Sequence, residues 1–133
     1  VVTDAAGTLE LDINDAAPSI AYELTYSGLV GTVAQAHIHI GQKDVNGGVT
    51  LWLCQTAGTQ APVGFVRDTT PICPDPGGTV SGTLVPASVL GIATQGVPPG
   101  SFTDVFRAIR AGKAYANVHT NTSPGGEIRG QLD

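Results

Sequence analysis

In the stretch SIAYELTYSGL, Ile20, Tyr22, Leu24 and Tyr26 alternate with Ala21, Glu23 and Thr25. A period of two predicts a strand with one face in a core and the other in water. Similar short runs predict strands near residues 8–13, 20–29, 34–40, 49–54, 80–85, 115–120 and 127–132, each bounded by turn residues. One segment breaks the period. In SFTDVFRAIRAG the apolar Phe102, Val105, Phe106 and Ile109 recur at helical spacing. Ser101 and Asp104 make a capping-box-like start and Gly112 a stop, which predicts a helix over 101–111. Arg107, Arg110 and Lys113 sit towards its C-terminal end, where the helix dipole favours cations. Seven short strands and one helix predict an antiparallel sandwich or barrel.

Composition narrows the picture. At 133 residues the chain is expected to form one domain, residues 1–133, with a core that needs no metal to fold. Residues 56–79 read as one long loop rich in Gly, Pro and Thr. In an oxidising compartment Cys54 and Cys73 are expected to pair across it, stabilising the fold by roughly 3 kcal/mol; the alternative is two buried thiols. The chain has no methionine and starts VVTDAAG, as a chain processed by removal of an export signal would, so a secreted or periplasmic location is expected. A chain trimmed for another reason would start the same way. No apolar run approaches the roughly 20 residues of a membrane span. The net charge of -5 and the lack of a basic cluster argue against nucleic acid. Charged residues make up only 13% of the chain, against about 25% in soluble domains, so its surface tolerates neighbours and self-association is plausible chemistry.

The chemistry concentrates in AQAHIHIGQ, which holds two of the three histidines. On a strand His37 and His39 project to one side, while Ala36, Ile38 and Ile40 project into the expected core. In AYANVHT the same alternation puts Tyr115, Asn117 and His119 on one side. If the two strands are neighbours, cross-strand spacing brings all three imidazoles within reach of one ion. Three neutral imidazoles suit copper first and zinc second, and three protein ligands leave a coordination position open. An exposed, solvated His face is the alternative.

Near the end, TSPGGEIRGQL reads as a Pro-Gly-Gly turn into the last strand. Arg129 would stand near His119 as an anion guide, or pair with Glu127 in an ordinary salt bridge. DVNGG, residues 44–48, lacks the remaining ligands of a calcium loop, and Asn46-Gly47 predicts a tight hairpin turn. No phosphate-binding loop, dinucleotide fingerprint or hydrolase nucleophile elbow is present.

These residues carry a resemblance. AHIHIG, NGGV, the helix ending in AIRAGKAYANVHT, and PGGEIRGQL together resemble the CHRD domain, first defined in chordin, over residues 8–132. The family implies a secreted module with a mainly β fold. SGLVGTVAQAHIHIG is also distantly similar to copper-zinc superoxide dismutase. That similarity implies a Greek-key sandwich, superoxide-dismutase or immunoglobulin-like, with His37, His39 and His119 as three copper ligands and Arg129 as anion guide. The fourth copper histidine and the zinc histidines of that family have no counterpart, which leaves copper alone.

Two functions follow as expectations. One is a secreted copper-binding protein, which as an enzyme would be a copper-dependent oxidoreductase acting on a small molecule. The other is an extracellular adhesion or assembly module, joining copies of itself or meeting an extracellular protein partner, with no catalytic role.

Overall fold

The structure is a computed structural model and describes residues 2–132. The expected strands form two antiparallel sheets that face each other across one core. β1 (Ala6–Asn14), β2 (Ser19–Ser27) and β5 (Gly78–Leu84) form the first sheet, with β2 central. The second sheet runs in the order β4 (Gly48–Cys54), β3 (Val33–Ile40), β6 (Ala114–Thr120), β7 (Ile128–Leu132). Every pairing is antiparallel. The chain crosses between sheets after β2, β4 and β5, the long connections of a Greek-key sandwich.

The alternation in β2 is what places the core. Ile20, Tyr22, Leu24 and Tyr26 are buried, and Ala21, Glu23 and Thr25 are exposed. They meet Ile38, Leu51 and Leu53 from the facing sheet. Burying each such side chain contributes about 1.5–3 kcal/mol. The two tyrosines keep a polar end, which the fold satisfies: Tyr22 donates to the Leu53 carbonyl across the sandwich at 2.7 Å, and Tyr26 to that of Pro74 at 2.5 Å.

The predicted helix is α2 (Phe102–Arg110), which follows the shorter α1 (Phe65–Thr69) in the chain, and Phe102, Val105, Phe106 and Ile109 are its buried face. Its start differs from the capping box expected. The Ser101 hydroxyl donates to the Asp104 carboxylate at 2.6 Å instead of accepting from the backbone. Arg110 forms an exposed ion pair with Asp15.

The stretch expected to be one long loop holds more structure than its composition suggests. Cys54 and Cys73 are disulfide-bonded, and between them lies a short helix, α1 (Phe65–Thr69). Buried Gln55 organises it. The Gln55 amide donates to the carbonyls of Arg67 and Thr70, and its oxygen accepts from the Ala61 N–H. Its backbone also exchanges hydrogen bonds with Pro71 and Cys73. The amide thus caps carbonyls at the C-terminal end of α1 and holds the segment leading into it, a support that five helical residues alone would lack.

A second difference lies between β3 and β4. The connection is seven residues long, from Gly41 to Gly47, not a tight turn at Asn46-Gly47. The turn itself spans Gln42 to Val45, closed by the Val45 N–H on the Gln42 carbonyl, with Asp44 at φ 64°. Asn46 and Gly47 are freed to lie back over the sheet. Gly47 approaches so closely that an added Cβ would fall 1.6 Å from the Ile40 carbonyl oxygen.

Candidate metal centre

β3 and β6 are neighbours, as the site requires. Their register places His37 opposite Asn117, His39 opposite Tyr115 and His119 opposite Gln35. The period of two then sends His37, His39, Tyr115, Asn117 and His119 to the outer face of the second sheet. That face is not solvated. His37, His39 and His119 are 3%, 7% and 8% exposed, so the reading of an open polar face fails. Trp52, opposite His37 on β4, packs edge-on against it at 4.3 Å. The Gly41–Gly47 connection and the β6–β7 turn supply the carbonyls that meet the other two histidines.

The three imidazoles lie together with ring centroids 5.4, 4.7 and 5.9 Å apart. One nitrogen from each falls within 4.8 Å of the others, close enough to hold a metal ion. Loop carbonyls decide which nitrogens. The His39 Nδ1–H donates to the Gly47 carbonyl at 2.9 Å, and the His119 Nδ1–H donates to that of Pro124 at 2.7 Å. A carbonyl only accepts, so both protons are fixed on Nδ1 and both Nε2 atoms keep a lone pair. His39 Nε2 lies 3.0 Å from the Asn117 side-chain amide, whose oxygen and nitrogen ends can exchange by a flip. His119 Nε2 faces His37 Nδ1 at 3.0 Å, so in this arrangement His37 donates.

His37 Nε2 is then a bare acceptor, buried and without a hydrogen-bond partner. An unsatisfied buried polar atom costs about 1–3 kcal/mol. The ring that carries it packs against the other two imidazoles.

Electrostatics favour neutral rings. Burial pushes His37 down to about 2, with His119 and His39 adding to the effect. His39 is lowered by burial, against the opposing hydrogen bonds of Gly47 and Asn117, and further by the Arg129 charge. Burial also lowers His119, opposed by its bond to Pro124. Neutral imidazole is the form that ligates a metal.

The other residues singled out from the sequence take different places. Glu127 and Arg129 form no salt bridge. The Glu127 carboxylate is buried and accepts four hydrogen bonds, from the Val30 and Gly31 N–H groups and the Thr3 and Thr120 hydroxyls. It joins the β2–β3 connection and the N-terminal segment to the end of β6. Arg129 turns the other way and spreads over the Tyr115 ring, 3.4 Å from its centroid. Gly47, Pro124 and Trp52 were not legible as parts of the site. Two act through backbone carbonyls, which residue type does not reveal; their only sequence signal is the pair of Gly-rich turns NGG and PGG that each follow a histidine strand.

Among the described residues no helix is long and apolar enough to cross a membrane. Comparison with curated proteins and with solved structures gave no match. The model of the CHRD domain family matches residues 1–132, which takes in both histidine strands, the disulfide loop and the closing PGGEIRGQL segment. On that match the chain belongs to the CHRD domain family.

Proposed function

We propose that this CHRD domain is an extracellular copper-binding protein whose ligands are His37, His39 and His119. The observation that carries the reading is the convergence of three buried neutral imidazoles, two of them held in one tautomer by loop carbonyls. Such outer hydrogen bonds are the usual accompaniment of ligating histidines. An all-nitrogen donor set favours Cu(II) over other divalent first-row ions, with zinc second. Bound copper would supply one-electron chemistry, and three ligands leave a position for a small molecule. The residues of this chain hold the ring nitrogens in place, exclude bulk water from them, and keep them unprotonated.

Metal content and Cu(II) affinity of the purified protein, measured beside His37→Ala/His39→Ala, test this. Stoichiometric copper with a nitrogen-rich EPR signal, lost in the variant, is the expected result. Absence of specific binding by the wild type would sink it. Turnover of superoxide or another small oxidant in proportion to bound copper would make the protein an oxidoreductase; tight binding without turnover makes it a carrier.

A separate observation favours assembly as a second reading. β1 and β7 are both edge strands, and they lie on the same side of the sandwich. Between them runs an open cleft of about 630 Å³, lined in part by Leu9, Leu24, Ile128 and Leu132. Unpaired edges with apolar side chains behind them are templates for strand addition, here by a second copy of the chain. Sedimentation at rising concentration should then show an oligomer that survives loss of the histidines; a monomer throughout would remove this reading.

A further inference from the structure

Arg129 extends from the exposed face of edge strand β7, and its guanidinium is engaged by one segment of chain. It donates to the carbonyls of Val45 at 2.9 Å and Gln42 at 3.1 Å, with a longer contact of 3.4 Å to the Asn46 side-chain oxygen. All three acceptors belong to the Gly41–Gly47 connection. The flat group also covers the Tyr115 ring, and Tyr115 reaches the same connection by accepting the Gly47 N–H at 3.0 Å. The His39 ring in turn stacks on Tyr115 at 4.7 Å with the planes 6° apart, and its Nδ1–H is held by the Gly47 carbonyl.

We infer that Arg129 is a positioning residue: with Tyr115 it clamps the Gly41–Gly47 connection so that the Gly47 carbonyl fixes the His39 tautomer and presents Nε2 to the histidine cluster. The inference rests on the metal-binding reading and replaces the anion-guiding role that the resemblance implied. A planar fork suits the task, because it can reach several carbonyls at fixed angles while stacking on an aromatic ring. A lysine supplies the same charge as a point, without the rigid plane that does both at once.

Charge and clamp predict opposite signs. The Arg129 cation opposes positive charge on His39, and would oppose a metal cation there in the same way. Electrostatics alone therefore predicts that removing Arg129 tightens copper binding. The clamp predicts weakening by about tenfold or more, the usual loss when an outer hydrogen-bond partner of a ligand is removed.

The test compares wild type, Arg129→Ala, Arg129→Lys and Tyr115→Phe in two measurements. One is the His39 ring tautomer in metal-free protein, read from its nitrogen NMR shifts. The other is Cu(II) affinity by competition with a chelator of known strength. The expected result is an Nδ1-protonated His39 in wild type, and a mixture of tautomers with about tenfold weaker copper binding in both Arg129 variants. Tyr115→Phe, which keeps the ring and loses the hydroxyl bond to Gly47, should move both measurements the same way, and it decides the matter should the Arg129 variants not fold. An unchanged tautomer, rescue by lysine, or tighter copper binding in Arg129→Ala would overturn the inference. If wild type binds no copper, the metal reading fails by itself, and the NMR comparison still judges the clamp.

Discussion

Gly47 shows how a residue with no side chain governs the site. Its carbonyl holds the His39 proton, and its missing Cβ lets the connection lie against Ile40. The obstruction is backbone, which cannot rotate out of the way as a side chain would. Gly47→Ala must therefore displace the connection, at a cost of about 1–3 kcal/mol typical of overpacking. His39 loses its fixed carbonyl at the same time. Urea unfolding should show the loss of stability and His39 nitrogen shifts the loss of the tautomer; a variant unchanged in both would contradict the geometry at this position. By residue type Asn46-Gly47 suits the tip of a tight turn, because that pair favours positive φ. What selects glycine at 47 is the close approach of the chain to β3, a contact between segments that only the folded sheet creates.

At the scale of elements, the strands and α2 followed their periodicity and the disulfide stretch did not. α1 is too short to be signalled by an apolar repeat, and buried Gln55 supports it by capping carbonyls at its C-terminal end. The disulfide and Gln55 hold the same segment by different means. Cys54→Ser/Cys73→Ser should cost roughly 3 kcal/mol by releasing the unfolded chain, while the folded segment keeps its Gln55 contacts. Equilibrium unfolding of wild type and variant should show that loss, with α1 amide protection retained in the variant. Collapse of protection across residues 55–72 would assign the ordering to the disulfide instead. Glu127 is the polar counterpart in the β6–β7 region. The glutamate was visible in the sequence, but besides nearby Thr120 its partners are Thr3, Val30 and Gly31, too distant along the chain for any local pattern to name.

For the whole molecule, the same buried groups set how stability depends on acid. The three histidines are all held below their ordinary value of 6.5, so below that pH the unfolded chain binds protons that the folded one refuses. Stability is therefore full above about pH 6.5 and falls as pH drops, by up to about 1.4 kcal/mol per pH unit for each histidine kept neutral. Glu127 adds a second limb. Its burial would raise its value, but the hydrogen bonds from Val30, Thr3, Gly31 and Thr120 outweigh that and hold it at about 2, below the ordinary 4.5. Its contribution is present above 4.5 and is lost as pH falls towards 2. Unfolding free energies across this range should show both limbs in wild type. Glu127→Gln should flatten only the lower one, and a profile level from neutral pH down to about 5 would contradict the burial of the histidines.

The sequence by itself determined which way the site residues face. A period of two put His37, His39 and His119 on the side away from Ile38 and Val118, and the apolar spacing of 102–109 fixed α2, because both patterns follow from local backbone geometry. Tertiary structure decided everything that depends on distant partners. His37 and His119 lie 82 residues apart and meet only because the chain crosses between sheets to make β3 and β6 neighbours. The Gly41–Gly47 connection, the β6–β7 turn and Trp52 cover a face that strand alternation alone would leave polar and open. Which ring nitrogen carries a proton was settled by carbonyls of Gly47 and Pro124, and the role of Arg129 by three acceptors on a connection that folds back over the sheet. Facing is a property of one strand, whereas burial, tautomer and clamp are properties of contacts between segments, which the spacing of residues along the chain does not encode.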